Sequence, residues 1–111
     1  VNLGNCVIGP SGVDHLARGL QQCPKLRLLN LSNNPLGSNV RGLASCLGPQ
    51  LESLSIFNAL LDPVAVDHLV SQWRCLATLH TLNLSWNRIG TAGAKALARC
   101  LSGGSCITSL N

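Results

Sequence analysis

Two histidines, His15 and His68, each follow an aspartate, at Asp14 and Asp67. Histidine beside a carboxylate is typical of metal sites and of general acid–base catalysis. Neighbouring residues on a helix do not share a face, however, so neither pair can converge on one ion. The two pairs recur within the repeated stretch VDHL, 53 residues apart, as duplication of one helix would produce. We therefore predict no metal site and read the histidines as parts of two equivalent helices.

Six cysteines offer a second possible chemistry. In a small secreted chain they would indicate three disulfides, but no Cys-x-x-Cys pair occurs and the first residues, VNLGNCVIGP, do not resemble a secretion signal. The repeat register described below predicts that most of them are buried or packed against helices. We therefore expect reduced thiols of an intracellular protein, cytoplasmic or nuclear. The cysteines are Cys6, Cys23, Cys46, Cys75, Cys100 and Cys106.

Catalytic patterns are not apparent in the rest of the chain. The four acidic residues are dispersed, and no Ser-His-Asp arrangement or glycine-rich phosphate loop stands out. General acid–base chemistry needs titratable groups brought together in one pocket. We predict that the protein is not an enzyme, has no cofactor and takes no small-molecule substrate.

A repeated leucine pattern predicts the strands and helices that carry the histidines and cysteines. LRLLNLSNNPLG, from Leu26, and LHTLNLSWNRIG, from Leu79, both fit L-x-x-L-x-L-x-x-N-x-L, in which leucines fill a core and asparagine bonds backbone at a turn. A weaker copy begins at Leu51. Position 6 of the motif advances by 28, 25 and 28 residues along the series Leu3, Leu31, Ile56 and Leu84. Position 9 alternates small residues with asparagine, in the series Cys6, Asn34, Ala59 and Asn87, which indicates a paired unit of 53 residues.

Between the motifs, apolar residues recur at helical spacing, for example at Leu16 and Leu20 and at Leu69 and Trp73. The second repeat is three residues short, so we expect a clipped helix there. Parallel strands lie about 4.8 Å apart and packed helices roughly 8–10 Å apart, so the stack must curve with its sheet inside. The predicted N-caps of the four helices are Ser11, Ser38, Asp62 and Thr91.

The predicted fold is an α/β, right-handed βα solenoid with a parallel sheet on the concave face and helices on the convex face. We expect one domain over residues 1–111, with repeats at 1–25, 26–50, 51–78 and 79–106 and the start of a fifth strand. Val1 and Asn111 both fall inside predicted strands. We therefore expect the chain to continue into further repeats, since solenoids need polar caps at their ends.

Composition narrows the possible partners. The chain is 46% hydrophobic, 11% charged and 3% aromatic, with a net charge of +4. Its basic residues are dispersed without a basic run, so nucleic acid is not expected as a partner. No apolar run reaches the length of about 18 residues that a membrane-spanning helix needs, so no membrane span is predicted.

The repeats resemble the ribonuclease-inhibitor-like class of leucine-rich repeats. The resemblance rests on the motif with its following glycine, the 28-residue spacing, the alternation at position 9, and helices of G-x-x-x-L-x-x-x-L type at Gly12–Leu20 and Gly93–Leu101. It covers essentially the whole chain and implies protein binding on the concave face or rim. Ala59 and the shortened second repeat depart from the pattern. The chain is basic and carries few aromatics, whereas the inhibitor itself is acidic with several concave tryptophans, so we do not expect ribonuclease binding.

Motif positions that point away from the core predict a small, polar, uncharged concave face. Phe57 and Trp86 are its only large aromatics, on adjacent rungs. Two interpretations remain open: they anchor a protein partner, or Trp86 ends its strand and packs on its neighbour. The predicted partner-binding residues are Asn30, Ser32, Asn33, Ser55, Phe57, Asn58, Asn83, Ser85 and Trp86.

The sequence thus favours a protein–protein interaction module that presents a concave surface as a scaffold or recognition segment of a larger intracellular protein. Two alternatives follow from the resemblance. One is the regulatory, ligand-sensing arm of a NOD-like receptor, which a nucleotide-binding motif in the parent chain would favour. The other is a GTPase-activating repeat protein, which stimulated GTP hydrolysis would favour.

Overall fold

The computed structural model describes residues 1–72 and 77–111, in which short strands alternate with helices. The helices are α1 (Pro10–Leu20), α2 (Arg41–Cys46), α3 (Pro63–Gln72) and α4 (Gly90–Ser102). The strands are β1 (Leu28–Asn30), β2 (Ser53–Ser55), β3 (Thr81–Asn83) and β4 (Ser109–Leu110). Trp73, Arg74 and Cys75 lie outside the described residues, so the proposed pairing of Trp73 with Leu69 stays a prediction.

The four strands form one parallel sheet in chain order, β1-β2-β3-β4. Position 4 of the motif is in register throughout, because Leu29 pairs with Leu54, Leu54 with Leu82 and Leu82 with Leu110. An isolated parallel bridge from Asn2 to Asn30 adds a fifth rung before β1. The predicted α/β solenoid with a parallel sheet is therefore confirmed.

Leucines of the motif form the core between the sheet and the helices. Burying one such side chain contributes about 1.5–3 kcal/mol, and regular layers of them hold each rung to the next. Helices α1, α3 and α4 add their own apolar stripes, through Val13, Val66 and Leu97 among others. The buried motif residues are Leu29, Leu31, Leu36, Leu51, Leu54, Ile56, Leu61, Leu79, Leu82 and Leu84.

Helix α2 is clipped, as predicted, with six residues against eleven in α1 and thirteen in α4. One predicted cap is confirmed: Asp62 accepts a hydrogen bond from the Ala65 N–H at 2.9 Å, and Pro63 begins α3. The caps at Ser11 and Thr91 are wrong, because α1 and α4 begin earlier and have no side-chain cap. Ser38 caps no helix and instead donates to the Asp62 carboxylate.

The prediction that most cysteines are buried or packed against helices is wrong for three of the five that lie within residues 1–72 and 77–111, although Cys100 packs half-buried against the core. Cys6, Cys23 and Cys106 are exposed, since they lie in turns and helix exits rather than on the apolar stripes. Cys46 is buried, and burial raises the pKa of its thiol to about 11.

Across the described part of the chain, no helix combines the length and apolarity needed to cross a membrane.

Candidate protein-binding surface

Asn34 organises the turn that follows β1 and also the turn one repeat earlier. Its side chain is fully buried. The carboxamide oxygen accepts from the N–H groups of Cys6, at 3.1 Å, and Ile8, at 2.9 Å. The amide nitrogen donates to the carbonyl of Leu3 at 2.8 Å and to that of Leu31 at 2.9 Å. One side chain therefore satisfies backbone groups in two successive turns, which would otherwise be left unpaired.

Asn87 repeats this arrangement 53 residues later. Its oxygen accepts from the N–H groups of Ala59 and Leu61, both at 3.0 Å. Its nitrogen donates to Ile56 O at 2.7 Å and to Leu84 O at 2.9 Å. The alternation of small residues with asparagine at position 9 thus has a physical cause: each asparagine serves the preceding turn, where no polar side chain is needed.

This bonding pushes the residue between the two captured N–H groups outward. Val7 and Leu60 occupy those positions, with φ angles of 55° and 58°. Their side chains are 81% and 58% exposed. A left-handed backbone is unusual for a β-branched or bulky residue. The exposure of these two apolar residues was not predicted from the sequence. Val7 and Leu60 both occupy motif position 10, where the other two repeats carry Pro35 and Arg88. Neither proline nor arginine is a core residue, and this could have indicated that position 10 faces solvent.

Along the concave face, neighbouring rungs bond to each other in rows of polar side chains. Asn30 donates to the Asn2 side chain at 3.0 Å, and Asn58 donates to that of Asn33 at 2.9 Å. The oxygens of Asn30 and Asn83 each accept from a backbone N–H two residues on, at Ser32 and Ser85. These bonds hold the face in one arrangement, which lowers the ordering cost of binding.

Ser32 corrects one expectation, because its side chain does not face solvent. It is only 8% exposed. Its hydroxyl lies 2.8 Å from that of Ser55 and accepts from the Phe57 N–H at 3.3 Å. Ser32 therefore joins two rungs and contributes little surface to a partner. The other predicted binding residues are half-buried or exposed.

Phe57 and Trp86 meet across adjacent rungs, with ring centroids 6.0 Å apart and ring planes inclined at 54°. Aromatic pairs favour such tilted contacts. Trp86 nevertheless remains 80% exposed, while Phe57 is half-buried beneath the surface row. The packing interpretation and the anchoring interpretation thus both keep a physical basis: the rings touch, yet most of the indole is open to solvent.

The backbone at Trp86 sets this residue apart from its equivalents. Position 8 is left-handed in every repeat, with φ angles of 58°, 56° and 50° at Asn5, Asn33 and Asn58, and 61° at Trp86. Asparagine tolerates this conformation, whereas for other side chains it costs roughly 1–2 kcal/mol. Tryptophan therefore occupies a position where asparagine would adopt the backbone conformation at a lower free-energy cost.

Charged groups lie away from the concave rows. Arg27 and Glu52 pair at 3.0 Å next to the start of β2, and Arg99 lies 3.5 Å from Asp67 on the helical side. A cleft of about 480 Å³ between α3 and α4 contains that second pair. Hydrogen bonds from Ser38 and from the Ala65 N–H lower the pKa of Asp62.

The histidines do not converge on a site. His15 is exposed on α1 and His68 is half-buried on α3. Within residues 1–72 and 77–111, no three His, Cys, Asp or Glu side chains are grouped as ligands for a metal ion.

Comparison with known proteins identifies the repeats. One leucine-rich repeat model matches residues 25–46 and another matches residues 75–98. The ribonuclease inhibitor of Sus scrofa is 36% identical over 96% of this chain and 24% of its own length. Protein NLRC5 of Mus musculus is 31% identical over 90% of this chain and 7% of its own length.

A third relative, the human NACHT, LRR and PYD domains-containing protein 13, is 29% identical over 96% of this chain and 10% of its own length. The chain thus spans a quarter or less of each curated relative that it matches. The register of leucines, the asparagines that join neighbouring turns and these matches agree, and the chain belongs to the leucine-rich repeat family, in its ribonuclease-inhibitor-like class.

Proposed function

We propose that the chain is a protein-binding segment of a larger leucine-rich repeat protein, and that its partner docks on the concave face around Phe57 and Trp86. Repeats of this family are typically interaction modules rather than enzymes. A scaffold or recognition role needs a surface that is ordered before binding, and the rows of bonded asparagines and serines supply one.

The observation that carries this proposal is Trp86. Trp86 is 80% exposed, and its ring centroid lies 6.0 Å from that of Phe57. Its backbone is held in a conformation that its three equivalents occupy as asparagine. Strained backbone and exposed aromatics both occur preferentially at binding sites. The left-handed backbone opposes folding and most of the indole is open to solvent, which favours a role in recognition.

The chemistry of the face limits the partner. The motif positions that point away from the core carry no charged residue, so the partner needs an apolar or neutral surface around Phe57 and Trp86. Five rungs at about 4.8 Å give a strip of roughly 20 Å. A stable interface buries about 800 Å² on each partner. Further repeats or the flanks of the solenoid therefore contribute to the complete interface.

The test uses Trp86→Asn, which restores the residue found at the equivalent positions. The variant keeps a left-handed backbone without strain, so it should fold at least as stably as the wild type. Loss of a hot-spot tryptophan costs about 2 kcal/mol or more, which corresponds to a roughly thirtyfold weaker Kd. Binding is measured by affinity capture with the parent protein and then by calorimetry with the recovered partner.

Val64→Ala is the matched control. Val64 is another exposed apolar residue, but it lies on α3 at the helical side. It should leave partner recovery unchanged. Equal recovery with wild type, Trp86→Asn and Phe57→Ala would reject the concave site as the docking surface.

A second candidate function rests on the similarity to NLRC5 and to the human NACHT, LRR and PYD domains-containing protein 13. In that case the chain is the repeat arm of a receptor, and the concave face docks on a nucleotide-binding domain of the same polypeptide. Cross-linking of the intact parent, read by mass spectrometry, distinguishes the two. Links from residues 79–90 to such a domain would favour the receptor arm.

An intracellular location belongs to the same proposal. Cys6, Cys23 and Cys106 are exposed thiols, and reducing compartments keep such thiols from forming disulfides. Fractionation of cells that express the parent protein tests the location and separates cytoplasm from nucleus.

A further inference from the structure

Exposed side chains, most of them apolar, form a row along one rim of the solenoid, where the strands lead into the helices. The row, termed the turn rim, is motif position 10, and its members in successive rungs are Val7, Pro35, Leu60 and Arg88. All four are exposed. We propose that the partner of the concave face continues over the turn rim, with an apolar stripe along the first three residues and a carboxylate at Arg88. This contact rests on the concave docking proposed above.

Backbone hydrogen bonds hold the four turns side by side, so the turn rim is one continuous surface. The bonds that join successive turns run from Asn5 N–H to Ser32 O at 3.0 Å, from Leu36 N–H to Ala59 O at 3.1 Å and from Arg88 N–H to Leu61 O at 2.9 Å. Leu60 therefore lies between Pro35 and Arg88 in the row.

The turn rim also continues from the two aromatics of the concave face. Phe57 and Trp86 lie just past the ends of β2 and β3, at the edge of the sheet. The Asn58 N–H donates to the Ser85 carbonyl at 2.9 Å, which places the turn of Leu60 against that of Trp86. A partner seated on the two rings therefore meets Leu60 as the next apolar residue along this edge.

Val7 and Leu60 occupy a backbone conformation that neither side chain favours. Their φ angles, 55° and 58°, lie in the left-handed region, which asparagine adopts more readily than β-branched or bulky residues do. Both side chains are mostly exposed, so burial within this chain does not compensate. Backbone held in an unfavoured conformation occurs preferentially at binding sites, which favours burial of both side chains by a partner.

The opposite rim, where the helices lead into the strands, offers no comparable apolar surface. Within the described residues it comprises 21–27, 47–52, 77–80 and 103–108, and the large hydrophobic side chains that are exposed all lie elsewhere. It carries instead the Arg27–Glu52 ion pair. A stable interface buries about 800 Å² on each partner. A partner that needs more area than the two rings provide therefore gains more apolar contact over the turn rim than over the opposite one.

Arg88 determines the charge that suits a partner at one end of the row. Its side chain is exposed, and the ion pairs between described residues, Arg27–Glu52 and Arg99–Asp67, do not include it. A second copy of this chain packed rim to rim would bring no carboxylate to Arg88, because the turn rim itself has none. A different protein, with an acidic group at the end of an apolar stripe, complements all four residues.

The experiment measures, by calorimetry, the Kd of variants of the parent protein for a purified partner. The probe is the protein whose capture by the parent requires Trp86, identified by mass spectrometry. Val7→Asn and Leu60→Asn place a residue suited to left-handed backbone at each position, so thermal unfolding should show no loss of stability. We expect each to weaken binding at least about fivefold, since each removes apolar surface that the partner buries. Loss of affinity without loss of stability separates a contact from a folding defect.

Leu28→Thr is the matched control. Leu28 has the same exposed fraction as Leu60, 58%, but it begins β1 at the opposite end of the strands. Threonine suits a strand, so the variant should fold and its Kd should stay within about twofold of wild type. Arg88→Gln should weaken binding about threefold at low salt and reduce its salt dependence, because salt screens exposed charge pairs.

Four results would overturn the contact over the turn rim. Weaker binding by Trp86→Asn alone would keep the concave site and exclude the rim. Equal losses with Leu28→Thr and Leu60→Asn would place the partner along the sheet instead. Self-association of the parent in sedimentation experiments, abolished by Leu60→Asn, would show that a second copy covers the rim. Absence of any partner whose capture requires Trp86 would reject the concave docking and the rim contact together.

Discussion

The solenoid contains two kinds of turn that differ in how their backbone is satisfied. In the asparagine turns, residues 33–37 and 86–90, the amide nitrogens of Asn34 and Asn87 donate to the carbonyls of Leu31 and Leu84, just before the turn. In the served turns, residues 5–9 and 58–62, two backbone N–H groups donate to the carboxamide oxygen of the asparagine in the following repeat. Motif position 9 of a served turn therefore needs no asparagine of its own, and it holds Cys6 in one served turn and Ala59 in the other.

The left-handed residues differ between the two kinds as well. The asparagine turns place glycine there, at Gly37 and Gly90, with φ angles of 69° and 57°. The served turns place Val7 and Leu60 in that backbone region, two positions earlier in the motif. At these two positions the asparagine turns use glycine, which suits a left-handed backbone, while the served turns place a bulky apolar residue there. Within each 53-residue pair, the served turn is bonded to the asparagine of its partner repeat.

The largest expected effect is the difference in stability loss between two alanine substitutions at motif position 9, one in an asparagine turn and one in a served turn. Asn34→Ala should lower the free energy of unfolding by about 3 kcal/mol or more, since each buried group left unpaired costs about 1–3 kcal/mol. Cys6→Ala should cost less than about 1 kcal/mol, because its exposed thiol packs little. Urea denaturation followed by circular dichroism measures both. Similar losses in the two variants would contradict the asymmetry between the turns.

Exchanging the left-handed residues should move stability in opposite directions. Leu60→Asn should raise the free energy of unfolding by up to about 1 kcal/mol, because asparagine tolerates positive φ and this leucine is mostly exposed. Gly37→Ala should lower it by about 1 kcal/mol or more, since alanine is strained there. Thermal and urea unfolding report both changes. A clear destabilisation by Leu60→Asn would mean that the leucine packs on its surroundings and that this packing outweighs the backbone strain.

The smallest expected effect distinguishes the two served turns from each other. The turn at 58–62 ends in Asp62, which caps α3, whereas the turn at 5–9 ends in Gly9, which offers no side-chain cap. Because the pKa of Asp62 is lowered on folding, its stabilisation is present above the unfolded pKa and is lost as pH falls through the folded value. Solvent screens this partly exposed carboxylate, so the contribution should stay below about 1 kcal/mol.

Urea midpoints from about pH 5 down to about pH 2.5 measure this effect, across the range in which an unperturbed aspartate titrates. Wild type should lose more stability than Asp62→Asn as the pH falls. Parallel pH profiles for the two proteins would show that the cap contributes nothing through its charge.

Much of the fold was predictable because leucine spacing is a local signal. A leucine at motif position 4, such as Leu54, can be buried beside its neighbours in only one strand register, and the sheet has that register. The short second repeat likewise predicted the clipped helix α2. Caps were predicted less well, because α1 and α4 each begin two residues earlier than those caps require and so include Ser11 and Thr91 within the helix.

The candidate site was predictable in part. The motif positions that point away from the core placed Phe57 and Trp86 on the concave side, and the structure brings their rings together. The same rule placed Ser32 at the surface, yet its hydroxyl is buried against that of Ser55 in the next rung. Exposure of Val7 and Leu60 was missed because it depends on bonds from an asparagine more than twenty residues away.

By itself, the sequence determined the repeat, the order of its strands and helices, and the pairing of repeats, because each depends on spacing along the chain. The tertiary structure alone decided which turns carry strain, which concave side chains face solvent, and that Arg41 meets His68 across two helices. Those features arise from contacts between rungs. The sequence of a single repeat does not specify which groups the neighbouring repeat places against it.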